Sequence, residues 1–274
     1  MAGSGPTYRN GNQLPSIRTD LHAQLAATLA KQGIASLRYD KRAIGESGKP
    51  GKSESLSAFC DWPSFVGDVE AAAKFLKKHP QIDPARVGLL GHSEGGMLCL
   101  EAASRVKPWA LVLAATPGRN IEAVITDQVA ALLKRQKATP EQTAFFLTEN
   151  VRICRAIRKN GVVPSDVPAG LAALYPAYLG PFWKGMLLCE PIALVKATTC
   201  PVLVLQGERD VQINPTLDAR PLAAAVGKRG QLTLVAGAGH NLKLAKDATD
   251  PAFAGPVVPA ALDALARWAA HRIR

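Results

Sequence analysis

Apolar and polar positions along this chain alternate between two patterns. Residues 34–40, 87–91, 110–115, 201–207 and 231–236 are short runs rich in Leu and β-branched residues, each bounded by turn residues. They are near-continuously apolar rather than alternating, as strands covered on both faces of a parallel sheet are. Between them, apolar residues recur at helical spacing. Positions 21, 25, 26 and 29 form one stripe along 21–32, and Phe65, Val69, Ala72, Ala73 and Leu76 form another along 62–78, with Pro63 in the first turn. Residues 97–106 and 257–274 predict two further helices, the last ending in basic residues that favour its dipole. This alternation predicts an α/β fold with a doubly wound, mostly parallel sheet.

The pattern changes between residues 116 and 199, where no good strand occurs. One helix is expected over 121–136. A second starts at Thr139-Pro140-Glu141-Gln142, where Thr139 caps, Pro140 fits the first helical position and Gln142 completes a capping box; it stops at Asn160-Gly161. A stretch rich in proline and aromatic residues follows (Tyr175, Pro176, Tyr178, Pro181, Phe182, Trp183). The expected organisation is a core of residues 1–116 and 196–274 with a helical cap inserted at 117–195.

Composition narrows the classes. With 274 residues, 47% apolar and 20% charged, the chain is expected to fold, which excludes disordered, collagen-like and coiled-coil readings. No apolar run reaches the roughly 18–20 residues a membrane span needs, and residues 1–20 lack the apolar centre of an export signal. Five scattered cysteines without CxxC spacing argue against a disulfide framework or a zinc site and fit a reducing, cytoplasmic setting. The net charge is +11, yet the basic residues are spread along the chain and aromatics are only 5%, so solvated helix faces are expected rather than a nucleic-acid surface. Nothing in the sequence fixes the oligomeric state.

Gly91-His92-Ser93-Glu94-Gly95-Gly96 follows an apolar strand directly and precedes a helix of small residues. In that setting G-x-S-x-G is a nucleophile elbow: Gly91 and Gly95 relieve crowding, His92 occupies the variable position, and Ser93 projects its hydroxyl above the sheet. A serine hydroxyl needs a base, and the base needs an orienting acid. His22, His79 and His271 lie in helical segments and are expected at the surface. His240 instead lies in a glycine-rich turn, Gly237-Ala238-Gly239-His240-Asn241, just after strand 231–236, at the sheet edge where ligands bind in open α/β folds. Asp210 follows strand 201–207 on the same edge, with Glu208 the alternative acid. The order Ser93, Asp210, His240 is that of the triad on this fold. The oxyanion of an acyl-transfer intermediate requires two amides. Glu94 supplies one, and Ser4, in the opening Ala2-Gly3-Ser4-Gly5-Pro6, is the candidate for the other.

These stretches, with LRYDKRAIGES at 37–47 and PVLVLQGERDVQI at 201–213, resemble the α/β-hydrolase superfamily, and more narrowly its bacterial esterase-like and serine-aminopeptidase-like (S33-type) members. The resemblance implies a Ser93–Asp210–His240 triad, an oxyanion loop at Gly3–Gly5, a cap over the pocket, no cofactor or metal, and hydrolysis of small-molecule carboxylic esters. An aminopeptidase or amidase would want a cap carboxylate for the substrate ammonium, for which Glu122, Asp127, Glu149 and Asp166 are the candidates.

Two departures carry expectations of their own. Ala43 stands where the family's loop usually has glycine, which implies a strained, positive-φ alanine. In the resembling proteins AGSGP also follows a strand, which lies between the strands matching 34–40 and 87–91. Here Met1 stands where that strand would end, so an N-terminally shortened hydrolase is expected, with catalytic inertness as the alternative consequence.

Overall fold

The computed structural model describes residues 1–52, 54–247 and 249–273. In chain order the elements are α1 (Leu21–Ala30), α2 (Leu56–Phe59), α3 (Trp62–Lys77), β1 (Leu89–His92), α4 (Glu94–Val106), β2 (Leu111–Ala114), α5 (Ile121–Arg135), α6 (Pro140–Asn160), α7 (Ala169–Ala172), α8 (Gly180–Leu188), α9 (Pro191–Ala197), β3 (Val202–Gly207), α10 (Arg220–Val226), β4 (Gly230–Val235) and α11 (Pro259–Ile273). They fall into two compact units. The first comprises Met1–Lys49, Val66–Gly118 and the chain from Pro191 onward; the second comprises Pro50–Phe65 and Arg119–Glu190. Among the described residues no helix is long and apolar enough to cross a membrane.

In the first unit β1, β2, β3 and β4 lie side by side in that order, all parallel. β2 and β3 have a neighbour on each edge and are buried throughout, which accounts for their unbroken apolar sequences. Val112, Ala114, Leu203 and Leu205 join one apolar cluster with Leu21 and Leu25 of α1 and with Leu265 and Trp268 of α11. The alternate residues Leu111, Leu113, Val202 and Val204 point to the other face and are equally buried. The sheet is thus covered on both sides, with α4 packed on β1 and β2 and α10 on β3 and β4.

Elements expected from periodicity appear within one to three residues of their predicted ends, with one exception; Arg274, the last residue of the expected C-terminal helix, lies outside the described residues. The exception is the strand expected at 34–40, which does not form. Its composition suits a strand, but no ladder joins it to β1, and an extended segment without a hydrogen-bonded neighbour is not a strand. Leu37 is left exposed. A cavity of about 410 Å³ lies between this segment and β1, lined by Leu25 and Leu29 of α1, Val69 and Ala73 of α3, and Leu265 and Trp268 of α11. Met1 does meet that edge of β1: its nitrogen donates to the Leu90 carbonyl, and its carbonyl accepts from the His92 amide at 3.0 Å. Ala43 has φ of 61°, the left-handed backbone expected of it.

The second unit is helical. Thr139 Oγ1 accepts from the Gln142 amide at 3.2 Å while Gln142 Oε1 accepts from the Thr139 amide at 2.9 Å, so α6 opens with the expected capping box. The helix ends on Gly161 in a left-handed cap. The aromatic stretch largely serves packing here. Phe182 makes edge-on ring contacts with Trp62 and Phe65, and the buried Tyr175 hydroxyl donates to Asn150 Oδ1 at 2.6 Å.

Candidate active site

The turn from β1 into α4 places the serine. Ser93 has φ of 55° and ψ of −127°, a conformation that side-chain-bearing residues rarely adopt. The strain is held in place from both sides: the Ser93 amide donates to the Ala114 carbonyl of β2 at 2.8 Å, and its own carbonyl accepts from the Gly96 amide at 2.9 Å. The flanking glycines are required by space. A Cβ at Gly91 would run into the Gly95 carbonyl and the Gly96 Cα, and one at Gly95 into the Met1 and Ala2 carbonyls.

Asp210 and His240 are brought together from the loops after β3 and β4. His240 Nδ1 lies 2.9 Å from Asp210 Oδ2, and both residues are buried. An ionised carboxylate only accepts, so Nδ1 carries the proton and Nε2 is left as the basic nitrogen. Asp210 is held by three further donors: the Gln206 amide side chain at 2.8 Å, the Gln212 amide at 2.8 Å and the Ile213 amide at 3.0 Å. Burial by itself raises the Asp210 carboxyl. The adjacent His240 and the two backbone amides outweigh it and hold the acid below the ordinary carboxylate range. Glu208 is exposed, so the structure pairs His240 with Asp210 and leaves the alternative acid in solvent.

His92 has a part that its place in the elbow motif did not reveal. Its Nε2 lies 2.9 Å from the His240 carbonyl, and the two imidazole rings are 4.8 Å apart between centroids. A carbonyl only accepts, so Nε2 donates, and the residue preceding Ser93 clips the His240 loop to the elbow. Burial is the main force that pushes the His92 imidazole down to about 3, with His240 adding to it. His22, expected at the surface, is buried instead on the inner side of α1, edge-on to His92, and its Nε2 has no hydrogen-bond partner among the described residues. The helical stripe of α1 is wider than its leucines alone indicate. His79 and His271 are exposed, as expected.

The loop 1–7 is tied down rather than trailing. Gly3 lies against the elbow, where an added Cβ would stand 3.1 Å from Ser93 Cβ. The Ser4 carbonyl accepts from Gln13 Nε2 at 2.7 Å, while the Ser4 side chain is exposed. Glu94 opens α4, so its amide belongs to the unsatisfied first turn of that helix. Among the described residues no cluster of three or more His, Cys, Asp or Glu could hold a metal ion. The 410 Å³ cavity lies in the sheet gap and is lined by neither Ser93 nor His240.

A serine on a strained strand-to-helix turn, above a parallel sheet wrapped on both faces, defines the α/β hydrolases, and this chain has their fold. Within that class the family model described as serine aminopeptidase, S33, matches residues 19–247, and the chain belongs to that family. The chain is 28% identical to Esterase EstD of Thermotoga maritima over 211 residues, which take in 77% of this chain and 45% of EstD. It is 26% identical to the thiohydrolase aneE of Aspergillus aculeatus over 165 residues, 59% of this chain and 50% of that protein. The chain therefore spans about half the length of these curated relatives or less. Among solved structures, Est1E of Butyrivibrio proteoclasticus with bound ferulic acid superposes with a TM-score of 0.59 at 16% identity, covering 100% of this chain and 87% of that one. A monoacylglycerol lipase of Paleococcus ferrophilus gives 0.58 at 15% identity, covering 99% and 93%.

Proposed function

We propose that this chain is a serine esterase that cleaves carboxylic esters of small or medium acyl chains through an acyl-enzyme on Ser93. The observation that carries the reading is the buried Asp210–His240 pair, clipped by His92 to the turn that bears Ser93. In this mechanism His240 Nε2 takes the Ser93 hydroxyl proton as Oγ attacks the ester carbon, and Asp210 stabilises the imidazolium that results. The amides of Glu94 and Ser4 receive the developing oxyanion. His240 then returns the proton to the departing alcohol. In the second half, a water deprotonated by His240 cleaves the acyl-enzyme and regenerates Ser93.

The relatives' names include both an esterase and a thiohydrolase, and the family description is that of an aminopeptidase. The ester reading is favoured by the acids of the helical unit. Glu122 is paired with Arg158 at 2.8 Å, Asp127 with Arg119 at 2.8 Å, Glu149 with Arg152 at 2.7 Å, and Asp166 with the same Arg152 at 3.2 Å. A carboxylate already neutralised by a guanidinium is a poor receptor for a substrate ammonium.

The test is labelling by a fluorophosphonate probe combined with turnover of aryl esters and aminoacyl anilides. The wild-type chain is expected to label and to hydrolyse aryl esters in preference to anilides, and Ser93→Ala to do neither. A folded wild-type protein that neither labels nor turns over esters would show that the reading is wrong.

A further inference from the structure

Lys41 and Glu94 form an ion pair that the proposed reaction leaves unused. Lys41 Nζ lies 2.8 Å from Glu94 Oε1, and the two side chains are only 5% and 4% exposed. The same ammonium donates to the Gly3 carbonyl at 3.1 Å, and the Lys41 backbone amide donates to the Thr7 carbonyl, also at 3.1 Å. One residue therefore holds the 3–7 loop at both ends and ties it to the first residue of α4.

The position of the Gly3 bond matters most. The Gly3 carbonyl and the Ser4 N–H belong to one planar trans peptide, in which they point in opposite directions. Fixing the carbonyl on Lys41 fixes the direction of the Ser4 N–H, and a cation on the carbonyl strengthens that N–H as a donor. The other anchor of the ammonium is the side chain of Glu94, whose own amide follows Ser93. Stability alone gives little reason for such a pair, because burying two charges costs about as much as their attraction returns, and apolar residues of similar volume serve as well.

We infer that Lys41 is a positioning residue that sets the Gly3–Ser4 peptide and the Glu94 amide at a fixed separation as the two oxyanion donors. The inference rests on the serine-esterase reading. Removing the tie leaves substrate binding in place and weakens only the interaction made in the transition state, so kcat falls and KM does not.

The experiment compares aryl-ester kinetics and urea stability of the full chain as wild type, Lys41→Met, Lys41→Arg and the double variant Lys41→Met/Glu94→Met. Lys41→Met is expected to lower kcat roughly 10- to 100-fold, with KM unchanged within about twofold. Lys41→Arg, which can still donate to both partners, is expected to retain more of kcat than Lys41→Met. The double variant removes the uncompensated carboxylate, so it is expected to recover wild-type stability while kcat stays low. Recovery of kcat together with stability in the double variant would overturn the inference, because the pair would then be a stability element only. Unchanged kcat in Lys41→Met would overturn it as well. A wild type that neither labels nor turns over esters would overturn both this inference and the esterase reading. A fully active wild type with insensitive Lys41 variants overturns this inference alone.

Discussion

At the scale of single residues, the donors around Asp210 keep it charged and burial keeps His92 neutral. Asp210→Asn retains the shape but loses the acceptor that selects the His240 tautomer; under the proposed mechanism, kcat for ester hydrolysis is expected to fall on the order of 10³–10⁴-fold with urea stability little changed. His92 acts on stability instead. Its folded value of about 3 lies below the ordinary imidazole range, so between that range and about 3 the unfolded chain binds a proton that the folded chain refuses. Its contribution is complete at neutral pH and drains away as pH falls through that window, at up to about 1.4 kcal/mol per pH unit. His22, also held well below the imidazole range, mainly by burial, adds to the same slope. Urea midpoints at pH 7 and pH 4.5 are expected to converge more in His92→Gln than in wild type, since glutamine can donate to the His240 carbonyl without titrating. Ala43 offers a gain: with φ of 61°, Ala43→Gly relieves left-handed strain and is expected to raise stability by up to about 1 kcal/mol, partly offset by the freedom glycine adds to the unfolded chain.

At the scale of elements, α6 shows how far local sequence reaches. Its start is specified by Thr139 and Gln142 and its end by Gly161, all within the helix or one residue beyond it. Thr139→Ala is expected to cost about 1 kcal/mol in urea unfolding, because the Gln142 amide loses its acceptor. The strands β2 and β3 were equally legible, since burial on both faces leaves an unbroken apolar run. That Ser93, Asp210 and His240 stand in turns just beyond β1, β3 and β4 was legible from the apolar runs that precede them, and the structure brings Asp210 and His240 together. What local pattern did not reveal is pairwise. His92 holding the His240 carbonyl, Lys41 holding the Gly3 carbonyl and His22 packed on His92 each join segments far apart in sequence, with nothing in either segment to announce the partner. The segment 34–40 failed for the same reason in reverse: its residues suit a strand, but a strand is a property of two segments, and among the described residues no ladder reaches this one.

At the scale of the whole chain, that missing ladder gives the sheet an unusual distribution of protection. The amides of Leu89 and Ser93 donate to Ala110 and Ala114, toward β2, so by the alternation of a parallel ladder the amides of Leu90 and His92 face the other way. The His92 amide finds the Met1 carbonyl, whereas the Leu90 amide faces the 410 Å³ cavity together with the extended run 34–39. β2, on the far side of β1 from the cavity, has ladders on both edges and is buried throughout. Amides that lie in doubly paired, buried strands exchange only through global or near-global opening, while unpaired edges need no opening at all. Hydrogen exchange is therefore expected to be faster at Leu90 and at residues 35–39 than at Leu111–Ala114 by roughly 10³-fold or more, the ratio that a domain of ordinary stability sets. Slow exchange at Leu90 and at 35–39, matching that of β2, would mean that these two edges are paired in solution and that the gap in the sheet is closed. Fast exchange reaching β2 as well would mean that the open edge undermines the strand behind it. Fast exchange confined to the two edges of the cavity is the outcome the geometry requires, because β1, which carries the elbow, is laddered along its other edge to β2, and the Ser93 amide itself donates to Ala114 of β2.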